Sequence, residues 1–536
     1  MGSKKEYPIR FTPAGVADSF DASDSFPGAC RLLQNLALDQ SNSELVYCRP
    51  GVGNSLVDFS SFTTPTQITV QITVGNTVYG MLSSGLNAGK DQPFAYVVGG
   101  AFIAITGITA ANTPTTPLTT GDWVCATMAV IGAKIIVTHP GFAGGSYFFG
   151  IIDISNPAAP TWTAKNTDTN TLPSVPTGVT NFNNRAWYIC KNNAYYSDVL
   201  VADKMTNAGQ ALTVGDLTNI IAFSGLPIQT SSGGVVSGLM VFKQFQIWQI
   251  IGDAAITGSL SINFLSLNVG CLSPRTITQT PVGTIFAGMD GPYLISPLGA
   301  VIPLTKDSSK LTPDLQAPFQ NIRNPSRACG SFSGSIYRVC LETIRDGNNT
   351  VDDYWFDVTR RRWSGPHTFA YDCVSQVGNY FLLSSRTAGA KLFKSQYMFD
   401  TSSVYTDNGS QIRCILESSS FPKTQNINMK QVVESTVELS SVAQALTFEI
   451  DALDYTYSAL DSVSITVNSS TLLWGAGIWG AGIWGASINF PKTYTIPWSI
   501  PIVFKKFGIR ITVSSASSVS IGTLFAKYKD AGYTNV

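Results

Sequence analysis

Apolar residues along this chain come in short runs. Val, Ile, Thr, Tyr, Phe and Trp cluster, and Gly, Pro, Asn, Asp or Ser interrupts them roughly every eight to fifteen residues. That texture predicts a many-stranded all-β fold. β-Branched and aromatic side chains fit a pleated surface, and the interrupting residues suit tight turns. Helical spacing is confined to residues 29–38, where Leu32, Leu33, Leu36 and Leu38 would share one short apolar face. The stretch 96–111 is the most membrane-like, but it contains Gly99, Gly100, Thr106, Gly107 and Thr109. It is too short for a span and reads as a buried hairpin turning at Gly99-Gly100.

The runs recur at a regular period. Strand onsets fall at Lys134, Arg185, Leu239, Thr284, Ser335 and Asn379, at intervals of 51, 54, 45, 51 and 44 residues. An earlier unit around residues 94–105 fits the same series. Spacing of this size matches propeller blades, which run about 40 to 50 residues each. Blades packed around an axis bury sheet faces that a lone four-stranded sheet would expose. The expectation is an N-terminal extended or short-helix segment over 1–55, then a β-propeller of about six blades over 56–400. A β-sandwich of evenly spaced hairpins would give the same texture and is the alternative. From about residue 401 the alternation tightens, as in VVESTVEL, ALTFEI and SVSITV. This predicts a C-terminal β-sandwich over 401–536 with one solvated face. Within it Trp474, Trp479 and Trp484 repeat every five residues, a period of neither strand nor helix. A self-packed Gly-rich loop is one reading, and an aromatic contact surface for another subunit is the other.

Composition narrows the functional classes. Charged residues make up 13% of the chain, about half the usual share, which suits surfaces covered by neighbours. Lys+Arg and Asp+Glu both total 34, so there is no basic excess to grip phosphates. The nearest approaches to a basic patch are Arg360-Arg361-Arg362 and Lys505-Lys506. A neutral wall would let a polyanion slide past. Nine scattered cysteines, with no Cys-x-x-Cys pair, read as buried free thiols. The N-terminus lacks the apolar core of a signal peptide, so assembly in a cytoplasm is expected. On the same ground, the sequons at Asn348 and Asn468 read as chance matches.

Chemistry is hard to find. His139 and His367 stand in separate predicted loops, with no Gly-x-Ser-x-Gly elbow nearby. Asp352, Asp353, Asp407, Asp451 and Asp454 read as solvated turn or strand-end residues. A paired-carboxylate depolymerase would need two acids facing each other across a cleft. No Walker loop, dinucleotide fingerprint or EF-hand spacing occurs. No catalytic, cofactor-binding or metal-ligating residue is assigned, and a non-enzymatic protein is expected.

Three groups of residues carry a family resemblance. Cys30-Arg-Leu-Leu-Gln-Asn35 is followed by Cys48-Arg-Pro-Gly51. Leu239 to Asp253 is followed by Gly270-Cys-Leu-Ser-Pro-Arg275 and then Phe286-Ala-Gly-Met-Asp-Gly-Pro-Tyr293. Later comes the hairpin from Tyr354 to Trp363. Together these resemble the β-propeller tail nozzle or tubular proteins of short-tailed bacteriophages, a group related to packaged-DNA stabilisation proteins. The resemblance covers about half the chain and rests on structural turns. It implies a homohexameric ring in the virion tail, below portal-proximal and adaptor proteins and beside tail fibres or spikes. It implies a channel for genome retention and ejection, with transient passage of double-stranded DNA and no stable membrane insertion. A host-receptor or carbohydrate-binding tail protein is the alternative, with the Trp repeat stacking on sugars.

Overall fold

The computed structural model describes residues 6–17, 28–38, 45–60, 62, 65–84, 89–115, 126–229, 235–254, 256, 258–304, 315–345, 347–387, 389–395, 404–421, 429–441, 445–454, 456–468 and 491–532. Almost every regular element among them is a strand. Six four-stranded antiparallel sheets stand free as blades. Five follow one another between Gln67 and Pro303, and the sixth is built on Tyr371–Val377, Tyr380–Ser385 and Lys391–Ser395. Between the fifth and the sixth lies one more four-stranded unit, from Cys329–Ser333 to Arg362–His367, which fills a wedge of the same ring. It differs in that its outer edge continues into a larger sheet. Innermost strands contact their neighbours in sequence around the ring, and Tyr371–Val377 packs back on Gln67–Val74.

Closure comes from the N-terminal side. Val57–Asp58 pairs with Lys391–Ser395 and supplies the outer strand of the last blade. The ring is thus fastened by chain from both ends of the propeller, which leaves that blade no bare edge there. The expectation of an all-β propeller of about six blades holds. The strands that begin at Lys134 and Arg185 form hairpins, Lys134–Thr138 with Phe149–Asp153 and Arg185–Cys190 with Asn193–Tyr196. The turn at Gly99-Gly100 also forms, between Lys90–Val97 and Phe102–Ile103, but residues 99–111 are half-buried or exposed and not buried as expected.

Beyond the blades, two sheets pack on the largest apolar cluster of the molecule. One runs from the shared blade through Ala29–Gln34, Ser410–Ser418, Gly508–Ser515 and Leu446–Leu453 to Ala459–Val467. The other contains Leu36–Leu38, Val46–Cys48, Val519–Gly532, Met429–Ser441 and Lys492–Thr495. Leu33, Leu416, Phe448, Ile450 and Ile511 from the first meet Leu36, Val437, Leu439, Ile521 and Leu524 from the second. Alternation along 445–450 matches its burial, with Leu446, Phe448 and Ile450 inside and Thr447 and Glu449 outside.

Two expectations need correction. Residues 29–38 form the strands Ala29–Gln34 and Leu36–Leu38, with no helix. The leucines fit a helical face, but a ten-residue helix is marginal alone. Here Ala29–Gln34 instead finds strand partners on both sides, in Arg362–His367 and Ser410–Ser418. The 401–536 segment also does not stand apart, because strands from the first 55 residues complete both of its sheets. Trp474, Trp479 and Trp484 lie outside the described residues.

Candidate functional site: the closed propeller axis

The innermost strands enclose a cavity of about 550 Å³ on the propeller axis. Every wedge of the ring contributes to its wall, with Gln71, Thr127, Thr180, Ser224, Gln279, Ser331 and Ser375 as examples. Most polar lining groups are amides and hydroxyls. Among the described residues, Arg275 is the only charged one in the wall, and no carboxylate lines it.

Arg275 is placed by the Gly270–Arg275 turn. A Cβ on Gly270 would lie 2.1 Å from the Lys243 carbonyl oxygen, so only glycine fits there. Ser273 then opens a single 3-10 turn, Pro274–Thr276, whose proline presets the backbone. Ser273 Oγ donates to the Ala328 carbonyl at 2.9 Å, and Thr276 Oγ1 donates to the Ser273 carbonyl at 2.7 Å. From this anchored turn the Arg275 guanidinium crosses the axis. It donates to the Thr69 carbonyl at 3.0 Å, to Cys373 Sγ at 3.6 Å and to the Arg327 carbonyl at 3.2 Å. Thr69 and Cys373 belong to the first and last blades, on the far side of the ring. The side chain therefore bars the end of the cavity at which inner strands begin. Cys373, its partner, has a thiol pushed up to about 11 by burial, with Arg275 opposing. It is an acceptor and weak hydrophobe here, not a nucleophile.

A second polar cluster joins the propeller to the two large sheets. Arg49 is buried and donates from Nε to Asn35 Oδ1 at 3.0 Å and from Nη1 to Asp407 Oδ1 at 3.1 Å. Its Nη2 closes the pair with Asp407. Asn35 sits at φ +55°, a conformation asparagine tolerates, and its amide donates to the Arg413 carbonyl and to Thr368. A Cβ on Gly51 would meet the Thr406 carbonyl oxygen at 2.2 Å, so the Arg-Pro-Gly turn can lie against that strand. The first resemblance motif is thus a staple between residues 35–51, the blade turn at Thr368 and the strand start at Asp407.

Nearby, Asp353 is fully buried and paired with Arg338. It also accepts from Trp355 Nε1 at 2.7 Å and Tyr371 Oη at 2.9 Å. Burial raises its carboxyl, while Arg338 and the Trp355 bond oppose that. The solvated-turn reading of Asp352 and Asp353 is therefore wrong. Both lie inside the strand Asn348–Asp357, in register with Leu341 and Cys340, and both are buried. Asp407 is bound to Arg49, and Asp451 lies within 3.7 Å of Arg510. Asp454 is a half-buried turn residue, accepting from Thr456 and Ser458.

Neither histidine is solvated. His139 is buried and accepts at Nδ1 from the Gly141 N–H at 3.0 Å, so Nε2 carries the proton toward Asp91 at 3.0 Å. Ser83 donates to the other Asp91 oxygen at 3.1 Å. The acid stands between serine and imidazole, the reverse of the order a nucleophilic serine requires. His367 packs its ring 4.5 Å from Trp355 and has Ser364 Oγ at 3.4 Å from Nε2. Its Nδ1 has no hydrogen-bond partner, so no acid orients it. Burial, with Arg49 and Arg338 nearby, holds His367 well below the usual imidazole range. Among the described residues, no group of three or more His, Cys, Asp or Glu is placed to hold a metal ion.

The fold and the cavity define a β-propeller protein with a blind axis. No protein-family model matches the chain. No curated protein matches it either. Solved structures with a similar arrangement include a puromycin hydrolase mutant complexed with PGG, at 9% identity and TM-score 0.38, covering 68% of this chain and 61% of that one. Another is the β-propeller domain of the Trilobed protease from Pyrococcus furiosus, at 9% identity and TM-score 0.35, covering 63% and 100%. A third is the WD40 β-propeller domain of Doa1, at 9% identity and TM-score 0.34, covering 65% and 97%.

Proposed function

We propose that this protein is a non-enzymatic structural subunit of a short-tailed bacteriophage tail, a nozzle or tubular component of the virion. Copies assemble as a ring, six in number, beneath portal-proximal and adaptor proteins, and the ring guides the genome during retention and ejection. One observation carries the reading. The residues that resemble the tail proteins are spent on joints. Asn35 and Arg49 staple the propeller to the large sheets, Ser273 and Arg275 brace the axis, and Trp363 packs against Phe319, Tyr337 and Phe356. Residues used this way serve a rigid building block. Equal totals of 34 basic and 34 acidic residues fit a wall past which DNA slides without being held.

Electron microscopy of the purified chain, alone and with a portal-proximal adaptor, tests the proposal. A closed ring with a central hole is the expected result. A monomer at micromolar concentration that stays monomeric with every virion partner would sink it.

A further inference from the structure

The axial cavity has a chemistry that the structural role does not use. We propose that it binds a small, hydroxyl-rich molecule of monosaccharide size, carrying at most one negative charge. This inference does not depend on assembly into a ring.

A volume of about 550 Å³ falls inside the range of about 300 to 1,000 Å³ typical of small-molecule sites. Arg275 bars one end, so the cavity is a blind pocket and not a pore. Four wedges of the ring point unused polar groups into it. The hydroxyls of Thr180, Thr278 and Ser331 line the cavity and make no hydrogen bond within the described residues. Asn181 donates its amide N–H to the Val130 carbonyl, Gln279 to the Gly225 carbonyl and Gln376 to the Gly378 carbonyl. Each of those donations leaves the amide oxygen as a free acceptor.

This inventory selects the ligand. The amide oxygens of Asn181, Gln279 and Gln376, at exposed positions, and the buried Gln71 Oε1 accept, and three hydroxyls donate or accept as required. A sugar hydroxyl does both, and so meets either kind of group. Sulfate only accepts, and phosphate at neutral pH keeps one or two O–H donors; either would set its charge against the amide oxygens. A polyamine would find no carboxylate to neutralise it. Arg275, which donates to two carbonyls and a thiol, supplies the one positive charge that an acidic sugar could offset.

Isothermal titration of the full-length protein with glucose, galactose, mannose, N-acetylglucosamine and glucuronate tests this, with inorganic phosphate and putrescine as controls. At least one saccharide is expected to bind, and neither control at about 10 mM. Removing two hydroxyls in the double variant Thr180→Val/Ser331→Ala should weaken binding about 30-fold, a factor of five to six for each lost hydrogen bond. Gln376→Glu, at an exposed position, provides an independent check by placing a carboxylate in the wall, and should selectively abolish glucuronate binding. The proposal is overturned if no saccharide binds at about 10 mM, if putrescine or phosphate binds more tightly than every saccharide, or if both variants keep wild-type affinities.

Discussion

At the scale of single residues, burial decides what a charge is worth. Asp353 is enclosed with Arg338, Trp355 and Tyr371. Removing it by Asp353→Ala strands the Arg338 guanidinium in the interior, at a cost of about 3 to 5 kcal/mol. The Lys527–Glu434 pair has side chains 38% and 46% exposed, so Glu434→Ala should change stability by about 0.5 kcal/mol or less. Urea unfolding midpoints of the two variants, measured side by side, check the contrast. Equal midpoints would mean that the buried cluster is not a stabilising joint. His367 sets a pH dependence. Its folded pKa is depressed by burial and by Arg49 and Arg338, so below about 6.5 the unfolded chain takes up a proton that the folded chain refuses. Stability contributed by the neutral imidazole is full above that pH and is lost as pH falls toward the folded value. The slope approaches about 1.4 kcal/mol per pH unit. Replacing His367 with Gln should flatten the loss between about pH 6.5 and 5, as read from urea midpoints at several pH values.

At the scale of elements, the strand pattern was legible because each blade is local. Its strands are joined by short turns, and side-chain alternation follows the pleat. What escaped sequence reading was the non-local pairing. Ala29–Gln34 fits a helical template over its ten-residue neighbourhood, and partners more than three hundred residues away, Arg362–His367 and Ser410–Ser418, make it a strand. The axial wall escaped for the same reason. Gln71, Thr180, Gln279 and Ser331 are unremarkable polar strand residues until the ring brings their inner faces together. The staple was half legible, since Asn35 and Arg49 stand in a recognisable motif while Asp407 looked like a turn residue. One element also carries a prediction about association. The outer strand Ser261–Leu267 of the fourth blade has no charged residue, and Phe264 and Leu267 are exposed. Natural edge strands are usually guarded by charge, proline or a bulge; here the guard is a bulge at Leu265, and the exposed Phe264 and Leu267 still offer an apolar contact to another chain. Phe264→Lys should lower concentration-dependent association, as measured by light scattering, and cost about 1 kcal/mol in urea unfolding, since the ring's packing on Trp248 is lost. Unchanged scattering would remove this edge from the contact surface.

At the scale of the molecule, the axis constrains any role in moving a genome. One turn of duplex DNA is about 34 Å long, and a cavity of about 550 Å³ cannot hold it. The major groove alone is about 12 Å wide, so a duplex cannot enter. Arg275 also bars the end of the cavity, tied to the first and last blades. If the proposed function holds, the DNA channel lies between copies of the chain, walled by the outsides of propellers or by the large sheets. In a reconstructed ring, the propeller axes are expected to stand away from the symmetry axis, with central density bordered by more than one copy. The same geometry predicts that Arg275→Ala, which unbars the propeller, leaves genome ejection from assembled particles unchanged while lowering the thermal midpoint of the subunit. A rise in ejection rate with that substitution, or duplex density on a propeller axis, would place the path through the blades and defeat the inter-subunit channel.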